Sequence, residues 1–212
     1  MRPWIELLTV GLVAIIFVAL PKPPGPVWPL ASFIAASLVA AAVYVVVRLR
    51  SEGRDFLADA GLIPGRNLGP MLWVLVPIVV VAVPLGAGWA LWHERELWTA
   101  SMAWSLLLYP IWGLVQQWVV QRLVVDNVRQ LSGAKLPWLV LLGAVGFGVV
   151  HLAHPPLLVG TALLGGLYVV LFQKHRNLWP LGLVHGWLGS RFYPWVLGID
   201  PLGEAIAMVF PG

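Results

Sequence analysis

The chain has 212 residues, 60% of them apolar and 10% charged, against roughly 25% charged in an ordinary soluble domain. Thirteen Lys and Arg with nine Asp and Glu cannot cover the surface of a soluble globule, so a soluble enzyme is excluded. A disordered chain, which needs low hydrophobicity, and a disulfide scaffold, which needs cysteines where there are none, are excluded too.

The mean hydropathy is +0.88 and the sequence pI about 9.9. The basic residues nevertheless stand singly between long apolar runs and form no patch that would track a phosphate backbone, so nucleic acid is not an expected partner. The expected fold class is all-α, a polytopic transmembrane helical bundle in one domain over 1–212, with the lipid bilayer as its solvent.

A transmembrane helix needs about 20 mostly apolar residues. Seven stretches answer in chain order: Trp4–Leu20, Trp28–Val47, Met71–Trp92, Leu97 to about Val125, Pro137–Ala153, Leu157–Phe172 and Leu178–Leu197. Leu20-Pro21-Lys22-Pro23 lacks a small-residue cleavage site, so the first stretch reads as a retained span. Pro110 removes a backbone donor from the fourth and is expected to kink it. Pro155-Pro156 makes the fifth and sixth a tight hairpin, and the tail Ile199–Gly212 is too short to cross.

Between the second and third spans, Ser51–Pro70 carries mixed charge and the largely apolar Phe56–Ile63, a candidate amphipathic piece on the inner leaflet. With a cytoplasmic N-terminus, nine cations fall inside (Arg2, Arg48, Arg50, Arg54, Arg66, Arg129, Lys135, Lys174, Arg176). Three fall outside (Lys22, Arg95, Arg191), as the positive-inside rule asks. The expected location is a bacterial cytoplasmic membrane. Trp4, Trp28, Trp92, Trp98, Trp138 and Trp179 stand at predicted span ends and read as interfacial belt residues.

Polar groups that resist burial in hydrocarbon are the informative ones. The fourth span carries Gln116, Gln117, Gln121, Arg122, Asp126 and Asn127; the fifth carries His151 and ends at His154; the seventh carries His185, Ser190 and Arg191. Arg122 and Asp126 share a helical face four residues apart and read as a self-neutralising ion pair. Gln117 and Gln121 share a face, while Gln116 points about 100° away, so two faces of one helix need polar partners. Rise per residue places Gln117 ~12 Å, His185 ~10 Å and His151 ~20 Å from the inner ends of their spans. They converge only if the fifth span starts deeper or the bundle is tilted.

At these residues the chain resembles the CAAX protease and bacteriocin-processing family (CPBP, or Abi) of membrane-embedded proteases. The family's Glu-Glu-x-x-x-Arg motif corresponds here to Gln116-Gln117-Trp118-Val119-Val120-Gln121. Its Phe-x-x-x-His motif is intact as Phe147-Gly148-Val149-Val150-His151. Its His-x-x-x-Asn motif reads His185-Gly186-Trp187-Leu188-Gly189, with the histidine kept and the Asn replaced. Leu164–Tyr168 and Asn177–Leu181 look like the family's glycine-rich helix and the turn before the last histidine, and the family-like core covers about 102–190.

The resemblance implies an endopeptidase whose first-motif Glu activates water and whose two His stabilise the oxyanion or hold that water. It implies a membrane-associated peptide or protein as substrate, prenylated CAAX proteins or bacteriocin peptides among them. Gln116, Gln117, His151 and His185 are therefore the candidate catalytic residues, with Gln121, Arg122, His154, Phe147 and Gly189 around them.

The departures strike the chemistry itself. A general base must accept a proton, and a Gln amide does not. Two substitutes remain. One is His151 or His185 as base, with a Gln amide orienting water or donating to the oxyanion. The other is a metal ion such as zinc on His151, His154 and His185. The function so read is an intramembrane endopeptidase with an altered catalytic motif; the alternative is a non-catalytic member that binds a membrane peptide, a lipid or a partner helix as scaffold or immunity factor. Gln117→Glu is the sequence-level test for a lost base.

Overall fold

The computed structural model describes residues 3–20, 28–152, 154–200, 202–204 and 207. Pro21, Lys22, Pro23, Ala153 and most of the Ile199–Gly212 tail lie outside the described residues, as does the side chain of Trp28. All regular elements among the described residues are helical. They are α1 Pro3–Ala19, α2 Trp28–Glu52, α3 Arg54–Asp59, α4 Leu68–Trp92, α5 Ala100–Trp118, α6 Asp126–Ser132, α7 Leu136–Val149, α8 Pro155–His175 and α9 Trp179–Phe192. Two wider π-helical segments, Val119–Val125 and Tyr193–Leu197, join α5 to α6 and extend α9.

Helices cover each of the seven apolar stretches. Among the described residues, three are long and apolar enough to cross a membrane: Ser32–Glu52 within α2, Leu68–Trp92 and Pro155–His175. Pro3–Phe17 and Leu136–Val149 are apolar but shorter. Trp4, Trp92, Trp98 and Trp138 are exposed, as belt residues would be. Pro110 sits inside α5 without ending it.

Two close helix pairs build the core. In the first, α5 and α9 approach until their backbones touch. A Cβ on Gly113 would stand 2.5 Å from the Gly182 carbonyl oxygen, and one on Gly186 would stand 2.5 Å from Pro110 Cα. Only glycine lets two helix backbones meet at that distance, the small-residue packing expected where lipid gives no hydrophobic drive. In the second pair, α7 meets α8 with Gly165 against the Gly143 carbonyl and Phe147, and Gly166 against Val140. Gly165 and Gly166 therefore serve packing within the chain. Tyr168, Phe172, Leu178, Leu181 and Trp118, with Met71 and Leu75 of α4, fill the space between the pairs.

The segment between α2 and α4 packs partly on the protein. Phe56 and Ala60 are buried, and the loop that follows is tied under the α8–α9 turn. Asn177, fully buried, donates to the carbonyls of Pro64 at 2.9 Å and Arg66 at 2.6 Å; Trp179 Nε1 donates to Leu62 at 3.0 Å. Ile63, at the end of the same apolar stretch, is exposed.

The glycine seam sets a measurable expectation. Gly186→Ala should lower the thermal midpoint in detergent by the equivalent of about 2 kcal/mol or more, the cost of overpacking. Gly146→Ala, where a Cβ meets nothing within 4 Å, should leave it unchanged or raise it slightly because alanine is the better helix former. Equal midpoints for the two variants would show that the α5–α9 approach is not what holds the bundle.

Candidate active site

The seam decides which polar side chains meet. Gln116 lies three residues after Gly113 on α5, and His185 lies between Gly182 and Gly186 on α9. With the backbones in contact, the Gln116 Oε1 accepts a hydrogen bond from His185 Nε2 at 3.0 Å. The amide oxygen is an acceptor only, so a neutral His185 in this bond carries its proton on Nε2 and its lone pair on Nδ1.

The α7–α8 pair closes the other side. Phe147 presents its ring edge-on to His185 at 5.3 Å between centroids, and Tyr168 of α8 does so at 6.4 Å. His151 lies one turn beyond Phe147, just past the end of α7, and its Nδ1 donates to the Phe147 carbonyl at 2.9 Å. That bond leaves Nε2 of a neutral His151 as the free acceptor. The two histidines are not hydrogen-bonded to each other; each is fixed by its own oxygen acceptor. Their apparent difference in depth is bridged through Phe147, whose ring reaches His185 from the His151 helix.

Gln117 points elsewhere. It is fully buried, as is Gln121, and the two amides are joined by a hydrogen bond at 3.3 Å on the inner face of their own helix. Gln117 Nε2 and Gln121 Oε1 have no further partner. The two glutamines form a neutral pair, and Gln116 is the one of the three bonded to a histidine. Gln116, not Gln117, is the position at which a carboxylate would meet His185.

Several candidates fall outside this cluster. Among the described residues no group of three His, Cys, Asp or Glu is placed to hold a metal ion, so His151, His154 and His185 do not form the three-histidine set that their spacing suggests. His154 is instead the residue before α8, its backbone N–H bonded to the His151 carbonyl. Gly189 lies against the Tyr109 ring, where a Cβ would stand 3.6 Å away.

The expected Arg122–Asp126 pair is not formed. Asp126 accepts from Gln173 Nε2 at 2.8 Å and pairs with Arg176 at 2.8 Å. Residues beside α8 outcompete the neighbour on the same helix because an amide and a guanidinium converge on the carboxylate together. Arg122 turns into a polar cavity at that end of the bundle.

Two features escape the sequence reading. The π segment Val119–Val125 begins directly after the Gln pair and carries Gln121 and Arg122; widened turns of this kind gather at functional sites, but no residue pattern announces one. The other is Glu6, which is buried. It accepts from Tyr44, from Arg48 at 3.2 Å and from Asn127 at 2.6 Å. A carboxylate inside the first apolar run was the available signal.

Charge at the buried pair is the sensitive variable. Gln117→Glu should cost about 3 kcal/mol or more of stability, because it buries a carboxylate with no cation beside it. Gln117→Glu with Gln121→Arg should recover most of that loss, and thermal unfolding of the two single variants and the double variant measures the coupling. Additive effects would mean that the side chains do not interact.

Residues 100–189, from the start of α5 to Gly189 in α9, match the family model described as type II CAAX prenyl endopeptidase Rce1-like. No curated protein and no solved structure matches the chain. The likeness to the CAAX prenyl endopeptidases first read from three motifs is thus shown over the stretch that builds the Gln116–His185 site.

Proposed function

We propose that this is a CAAX endopeptidase-like integral membrane protein that holds a membrane-associated peptide at the Gln116–His185 site without hydrolysing it through a carboxylate. The carrying observation is the bond from His185 Nε2 to an amide oxygen at the position of the family's glutamate. An amide oxygen accepts a hydrogen bond but cannot take up the proton of an attacking water at neutral pH. The chain's other acids offer no replacement. Among the described residues Glu6 and Asp126 are engaged with Arg48 and Arg176, and none of the nine carboxylates hydrogen-bonds to Gln116, His151 or His185. What remains suits binding. Imidazoles and an amide can meet the polar groups of a peptide backbone within apolar surroundings, and the ring edges of Phe147 and Tyr168 flank them.

One observation favours a second reading, hydrolysis with a histidine base. His151 Nδ1 is held by the Phe147 carbonyl, which leaves Nε2 able to accept a proton from water. Proteoliposome assays with prenylated and transmembrane peptides separate the readings. The first expects peptide bound but uncut by the wild-type protein, weaker binding by His185→Ala, and cleavage appearing in Gln116→Glu, where a carboxylate would face His185. Cleavage by the wild-type protein that is lost in both His151→Ala and His185→Ala would replace it with the second.

The topology belongs to the same proposal: seven spans with the N-terminus inside a cytoplasmic membrane, supported by the excess of cations at the end of the bundle that holds Arg48, Arg129 and Arg176. The chain contains no cysteine, so single-cysteine labelling is clean. In intact bacterial spheroplasts an impermeant maleimide should label Glu96→Cys, and should label Ser51→Cys only after permeabilisation. The reverse pattern would invert the protein, and labelling of both in intact spheroplasts would change the span count.

A further inference from the structure

We propose that the polar cavity where Val119–Val125 and α6 meet the C-terminal end of α8 is a phosphate-binding site, of the chemistry an anionic phospholipid head group presents. It lies apart from the Gln116–His185 site and does not depend on the reading given there. It is an open depression of about 510 Å³. Its lining includes three arginines, Arg122, Arg129 and Arg176, and two acids, Asp59 and Asp126.

Two of the three cations are already engaged. Arg176 is paired with Asp126 and donates to the Asp59 carbonyl at 2.7 Å. Its backbone is held at φ 52, a left-handed conformation unusual outside glycine, which marks it as a fixed structural piece. Arg129 donates to Gln173 Oε1. Arg122 is left over. Among the described residues nothing forms a hydrogen bond or ion pair with its guanidinium, and its Nε is buried without an acceptor.

An unsatisfied buried donor on a permanent cation is costly. An oxyanion in the cavity would bring an acceptor to this guanidinium. The planar guanidinium fork matches two phosphate oxygens, and Asp126, neutralised by Arg176, opposes such a ligand little. The surroundings favour a lipid as the source. The cavity gathers three arginines, Leu131 of the same α6 helix as Asp126 and Arg129 is exposed, and basic pockets between membrane helices take anionic head groups.

The test uses the full chain in phosphatidylcholine nanodiscs to which phosphatidylglycerol is added, read by thermal midpoint and by lipid retained in native mass spectrometry. The expected result is a midpoint that rises with phosphatidylglycerol. In Arg122→Gln the half-saturating lipid fraction should increase about tenfold, the loss of one charge-assisted hydrogen bond. Arg50→Gln, which removes an exposed charge outside the cavity, should leave it unchanged. Arg122→Lys keeps the charge without the fork, should weaken retention less, and serves if Arg122→Gln fails to fold. Inorganic phosphate in phosphatidylcholine discs forms the second arm. An Arg122-dependent rise there supports the phosphate site and assigns it to the free ion; no rise there, with the lipid response intact, assigns it to the head group. An undiminished lipid response in both Arg122 variants, or an equal loss in Arg50→Gln, would overturn the proposal.

Discussion

Contact between the backbones of α5 and α9 is the constraint on which the site depends. A helix pair separated by ordinary side chains stands 8–10 Å apart between axes, and glycines at a crossing allow a closer approach. Gly113, Gly182 and Gly186 remove the side chains at the crossing, and Gln116 Oε1 then reaches His185 Nε2 directly at 3.0 Å. The α7–α8 pair repeats the device with Gly143 and Gly165, and it delivers Phe147 and Tyr168 to the same imidazole. Two glycine-lined crossings thus position one polar cluster in a chain that is otherwise almost wholly apolar.

The charges are sorted with equal consequence. Among the described residues Glu6 and Asp126 are the carboxylates of the network around α6, and Asp200 is bonded elsewhere, to Ser101. Glu6 joins α1 to α2 and α6 through Tyr44, Arg48 and Asn127, and Asp126 joins α6 to the end of α8 through Gln173 and Arg176. Each is a carboxylate with two or more donors, the condition under which a buried charge is tolerable. This network therefore ties together α1, α2, α6 and the end of α8, while the Gln116–His185 bond joins an amide to an imidazole.

Much of this was legible in the sequence, and the limits have physical reasons. The helices follow from apolar runs bounded by Pro, Gly and charge, and the motif residues Phe147, His151 and His185 follow from the family resemblance. The direction of Gln116 away from Gln117 is a 100° rotation that any helix enforces. Partner choice was not legible. Arg122 and Asp126 satisfy the i,i+4 rule, yet that rule describes an isolated helix and cannot weigh the amide and guanidinium that α8 and Arg176 bring from fifty residues away. The three-histidine set failed for a related reason: His151 and His154 share a spacing, but the helix ends at Val149, so helical periodicity no longer governs where they point. The burial of Phe56 against protein was not legible either, because burial against protein and burial in lipid leave the same apolar signature.

The neutral cluster also costs the fold less than a charged one would. A Glu–Arg pair in a buried helix face carries a desolvation cost of several kcal/mol per ion that only good geometry offsets. Gln117 and Gln121 are both neutral and bonded to each other, so no charge is stranded there. A single charged side chain at either position would be an unpaired buried ion. Gln116 is neutral as well: it gives His185 a hydrogen-bond acceptor but, unlike a carboxylate, no base for a water. Stability and peptide recognition need only donors and acceptors in place; hydrolysis needs a group whose proton affinity matches the task. Amides meet the first requirement and not the second, so the Gln116–His185 pair can hold a polar group without supplying a carboxylate base.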